Sequence, residues 1–76
     1  MEQEKASRQI DPGVAAAIEA AGGRNKLADL LGIRGESISG WRRVPAERVL
    51  EIERVTEGRA SRTQMRPDLY PQEEAA

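Results

Sequence analysis

The sequence predicts an all-α fold of five short helices packed around one core. Three observations carry this expectation. Apolar residues recur three or four positions apart in several stretches and nowhere alternate in twos. Those stretches begin at residues that cap helices and stop at glycines. The chain has 76 residues, room for a single core that buries roughly 60 to 65% of the unfolded surface.

Residues 1–10 hold no apolar period and read as a flexible arm. Asp11-Pro12 then supplies a side-chain acceptor at an N-cap and a ring of fixed φ at the first helical position, with Ile10 placed to staple onto Ala15. The first helix runs to about Ala21 on a narrow stripe of Val14, Ala17, Ile18 and Ala21, and Gly22 ends it. A second helix spans residues 24–31, with Leu27, Ala28, Leu30 and Leu31 on one face. Beyond Gly32 and Ile33, a third is expected over residues 35–43, with Ile38 and Trp41 turned inward. Val44-Pro45 opens a fourth, carrying Val49, Ile52 and Val55 on one side and stopped by Gly58. Ser61 and Gln64 have capping-box spacing, so a single-turn helix should cover residues 62–65. Pro67 ends it, Leu69 and Tyr70 are placed to reach back to the core, and residues 72–76 form an acidic disordered tail.

Composition narrows the function classes. The chain has no Cys and no His, which removes thiol nucleophiles, imidazole bases and the usual transition-metal ligands. The expectation is a non-enzyme without cofactor or metal. The longest apolar run is Val14 to Ile18, far short of the roughly 20 residues of a membrane helix, so no membrane role and a cytoplasmic location are expected. Charge is nearly balanced, with 12 Lys or Arg against 13 Asp or Glu. It is unevenly spread. Residues 22–66 hold ten basic against six acidic residues, a net of +4, between ends that are both acidic.

The informative segment is residues 24–43, RNKLADLLGIRGESISGWRR. Ala28 is small where two helices would meet, Gly32 can take the positive φ of a sharp turn, and Leu27, Leu31, Ile33, Ile38 and Trp41 supply the apolar lock. The remaining positions of the second helix are polar, charged or glycine. This pattern resembles the helix-turn-helix of phage repressors. With VPAER at residues 44–48 and RPDLYP at residues 66–71 in register, it is similar to the Cro-like and YdaS-like regulators of phages and prophages. The resemblance covers residues 11–71, the domain expected between arm and tail.

The resemblance implies a compact, lambda-repressor-like domain of Cro type whose helix 35–43 enters the major groove of double-stranded DNA. Carried over by position, Arg34, Glu36, Ser37, Ser39 and Arg43 face the bases. Arginine can bridge two guanine acceptors, glutamate can accept from cytosine, and serine can bond either kind of edge. Arg24, Asn25 and Arg42 are implied phosphate contacts that set register. The implied function is a sequence-specific transcriptional repressor, acting as a homodimer on a pseudo-palindromic operator and pairing there if not before. The alternative is a protein-interaction module, an antitoxin-like partner or anti-repressor using the same face. Gly35 and Gly40 depart from a strong helix former; they either let DNA approach the backbone or relieve crowding against a neighbouring helix. Trp41 reads as core. Glu47, Glu51 and Glu53 read as an ion-paired face beside Arg48 and Arg54.

Overall fold

The structure, a computed structural model, describes residues 10–71. The rest of the expected arm and the acidic tail lie outside the described residues. Five α-helices are found there: α1 Pro12–Ala21, α2 Arg24–Leu31, α3 Gly35–Ser39, α4 Val49–Val55 and α5 Arg62–Met65, with a 3-10 turn at Ala46–Arg48 leading into α4. Helix α1 packs on α2 and α5, α2 on α3 and α4, and α4 on α5.

The expected caps are present. The Asp11 carboxylate accepts from the amides of Gly13 at 2.9 Å and Val14 at 3.2 Å, a cap typically worth about 1 kcal/mol. The Ser61 hydroxyl accepts from the Gln64 amide at 3.1 Å, while the Gln64 side chain accepts from the Ser61 amide at 2.9 Å, closing the box on α5. Gly32 ends α2 at φ 72, a left-handed conformation that costs any residue with a Cβ.

Leu27, Ile38, Val44, Val49, Ile52 and Met65 form the centre, each with less than 2% of its surface exposed. Burying a side chain of this size contributes roughly 1.5–3 kcal/mol. Helices α1 and α5 meet at Gly13. A Cβ there would fall inside contact distance of the Met65 carbonyl, so this glycine is needed for a close approach. Among the described residues Thr56 is the one buried polar residue, 1% exposed. Its hydroxyl donates to the Ile52 carbonyl at 2.8 Å and accepts from the Ala60 amide at 3.3 Å.

Four expectations need correction. The third helix stops at Ser39, four residues before Arg43, because Val44 must turn into the core, where it is 0% exposed. The fourth does not start as α-helix at Pro45: the first turn is 3-10, and regular helix begins at Val49. Ile10 is 60% exposed and Leu69 44% exposed, so neither covers the core as a staple or lid, although Tyr70 does pack against it.

Gly13→Ala gains helix propensity yet forces α5 away. We expect a net loss of about 1–3 kcal/mol, read as a lower urea midpoint at unchanged slope. Thr56→Val, which removes the hydroxyl that accepts the buried Ala60 amide, is expected to cost about 1–3 kcal/mol in the same assay.

Candidate nucleic-acid interface

The α2–α3 corner places the exposed polar face. Gly32 and Ile33 send their amides back to the carbonyls of Asp29 and Ala28 at 3.2 and 2.9 Å, which closes the turn. Leu27, Ala28, Leu31 and Ile38 are buried behind it. Arg34, extended at φ −92 and ψ 150, is the N-cap of α3. Around the buried Ile38, Arg34, Glu36, Ser37 and Ser39 are exposed. With five residues, α3 is about 7.5 Å long, less than one and a half turns. Glu36 lies in the first turn, where the helix dipole favours an acid.

Arg24 and Asn25 open α2 beside this face. Arg24 donates from Nη1 to the Ser39 hydroxyl at 2.7 Å, so an implied phosphate contact and an implied base contact touch across the two helices. A Cβ on Gly35 would lie 2.8 Å from Asn25 Oδ1. The near neighbour of Gly35 is thus the tip of an exposed side chain on α2 and not its backbone. Gly40 has only ordinary contacts. It sits at the end of α3, so its low helix propensity falls where the helix stops anyway.

Arg42 and Arg43 are not on the helix. Both follow it on an exposed loop, between the end of α3 and the buried Val44. Trp41 packs against the core as a partly buried residue and shares a groove with Val14, Ile18 and Ile38. Arg43 has a partner that sequence reasoning missed. Its Nη1 lies 3.3 Å from Asp68 Oδ2, and Arg66 holds the same carboxylate at both oxygens, Nε to Oδ1 at 3.0 Å and Nη2 to Oδ2 at 2.7 Å. The third nitrogen of Arg66 donates to the Val44 carbonyl at 2.9 Å. The Arg66 side chain is 12% exposed. A usable signal was present: Arg-Pro-Asp puts acid and base two positions apart across a proline turn.

The Arg66 hydrogen bonds, with a smaller attraction from Arg43, hold the Asp68 carboxyl at about 2, below its ordinary 3.8. Glu53 is likewise held below its ordinary value by Arg62, which bonds it at 2.8 Å and stands 5.6 Å from the Tyr70 ring centroid. These contacts fasten the segment from Arg62 to Tyr70 against α4. The glutamate face is ion-paired in part as expected, Arg48 meeting Glu51 at 3.0 Å, while Glu53 pairs with Arg62 in place of Arg54. Among the described residues no group of three metal-ligating side chains comes together, and no helix is long and apolar enough to cross a membrane.

Comparison with known proteins places this geometry. The family described as "Bacterial toxin YdaS" matches residues 14–74. The chain belongs to the YdaS family. The "Putative transcriptional regulator YdaS" of Escherichia coli (strain K12) is 40% identical to it over 52 residues, 63% of this chain and 53% of that protein. The chain thus spans about half the length of the curated relative it matches. A solved structure, the "Cro protein from putative prophage element Xfaso 1" of Xylella fastidiosa strain Ann-1, superposes with a TM-score of 0.71 at 42% identity, covering 80% of this chain and 98% of that one. The resemblance to Cro-like and YdaS-like regulators, and the Cro-type helix-turn-helix fold it implied, are borne out for this YdaS-family chain.

A carboxyl whose folded pKa lies below its unfolded one stabilises the fold above the unfolded value, and that contribution is lost as pH falls through the folded value. For Asp68 the window runs from about pH 4 down to about 2. Thermal melts of wild type and Asp68→Asn should differ most at neutral pH and converge toward pH 2; a gap independent of pH would assign the effect to something other than this carboxylate.

Proposed function

We propose that this YdaS-family chain is a sequence-specific double-stranded DNA-binding transcriptional regulator, acting as a repressor, with α3 presented to the major groove. The observation that carries the reading is the α2–α3 corner. It exposes a face of Arg34, Glu36, Ser37 and Ser39 with no apolar side chain on it, braced by buried Ile38. The names of two relatives, a transcriptional regulator and a Cro protein, support the same reading over the protein-interaction alternative. Arg34 reads base edges from the N-cap of α3 and Arg43 reads from the loop behind it, while Arg24, Asn25 and Arg42 contact phosphate. Glu36, Ser37 and Ser39 complete the base-facing set.

The chain's formal net charge is −1, so bulk attraction to DNA is weak, and the exposed arginines must act locally. One such module covers a half-site. Two copies on a pseudo-palindrome, with centres about one helical turn apart, supply the rest of the affinity.

Selection of bound duplexes from a random pool is expected to return a pseudo-palindromic site. Arg34→Ala should then weaken binding to that site by about 1–3 kcal/mol and relax preference at one base pair per half-site. Recovery of no preferred sequence from the wild-type pool would contradict the reading. If each protomer neutralises about three phosphates, log K should fall with log salt at a slope near −5 for the pair, measurable by fluorescence anisotropy between about 50 and 200 mM salt. A slope near zero would count against phosphate contact.

A further inference from the structure

We propose that Asp68 is a specificity-determining positioning residue: pinned by Arg66, it restrains the Arg43 guanidinium to a single approach and reserves it for a base edge instead of phosphate. The inference rests on the DNA-binding reading above and adds a residue outside the helix-turn-helix to it.

An arginine on a helix inherits its direction from the backbone, but Arg43 stands on the turn between Ser39 and Val44 and is exposed. A long side chain on such a turn samples many rotamers, and fixing one costs up to about 2 kcal/mol. Arg43 nevertheless has a fixed partner. Asp68 is held bidentately by Arg66, the stronger kind of charged hydrogen bond. Arg66 is in turn bonded to the carbonyl of Val44, the residue directly after Arg43. The carboxylate is thereby located relative to the backbone that carries Arg43, and not merely near it.

The contact itself is light. It engages Nη1 alone at 3.3 Å and leaves the Arg43 side chain 60% exposed. A guanidinium has five N–H donors in a rigid fork, so one held against Asp68 leaves others to engage an acceptor pair on a base. The arrangement orients Arg43 without consuming it. The same carboxylate acts against phosphate, because a negative charge beside Arg43 lowers its attraction for any sequence-independent anion. Orientation and screening therefore act in the same direction, toward discrimination and away from general affinity.

The test compares wild type, Asp68→Asn, Asp68→Glu, Arg43→Ala and the Arg43→Ala/Asp68→Asn double variant, each confirmed folded by its thermal melt at pH 7. Binding is measured to the selected duplex and to a scrambled duplex of equal length. Asp68→Asn is expected to raise scrambled-duplex affinity and to lower the ratio of specific to scrambled binding by about 5- to 10-fold, within the discrimination one arginine fork provides. Its salt slope should steepen by about 1 per protomer as Arg43 becomes free to meet a phosphate. Asp68→Glu should restore part of the ratio, and in the Arg43→Ala background Asp68→Asn should leave it unchanged. An unchanged or increased ratio in Asp68→Asn overturns the proposal, as does an equal loss with and without Arg43, which would mean a structural role only. Wild type that binds both duplexes equally overturns the DNA-binding reading itself, an outcome distinguishable because it precedes any variant.

Discussion

Val44 has no exposed surface, and it follows α3 so closely that the chain between them has to turn. That burial organises the functional face. It shortens α3 to five residues and moves Arg42 and Arg43 onto a loop. It also leaves the Val44 carbonyl where Arg66 can bond it. The hydrophobic term wins because a fully buried valine contributes roughly 1.5–3 kcal/mol. Continuing α3 through Trp41 to Arg43 would add only surface hydrogen bonds worth about 1 kcal/mol net each, and Gly40 weakens even that.

Most of the fold was legible in the sequence because its signals are local. Asp11-Pro12, the Ser61–Gln64 box and the glycines at 22, 32 and 58 act through neighbours in the chain, and the helices start or stop near them. What was not legible depends on contacts between distant segments. Gly13 looks like an ordinary poor helix former until α5 is seen against it. Val44, Thr56, Ala60 and Met65 belong to no clear apolar stripe, yet all four are buried. The end of α3 was misjudged for the same reason. Helical spacing continues through Trp41 in the sequence, and only the demand of the core on Val44 stops it.

The exposed face was legible as a set of residues but not as a set of roles. Arg34, Glu36, Ser37 and Ser39 are all exposed around the buried Ile38, with Arg24 bonded to Ser39. Arg43 differs because its surroundings come from the far end of the chain. Sequence spacing along one helix carries no information about a carboxylate 25 residues away. The near-neutral total charge hides the same fact: several arginines that look available, among them Arg48, Arg62 and Arg66, are already paired within the protein.

The seat of Gly35 against Asn25 bears on how such a protein could acquire new targets. A Cβ at position 35 would displace the Asn25 side chain on α2, whereas the residues at 34, 36, 37 and 39 already face solvent. Changes at 34, 36 and 37 leave the contact between the two helices alone, while a change at 39 gives up the bond from Arg24.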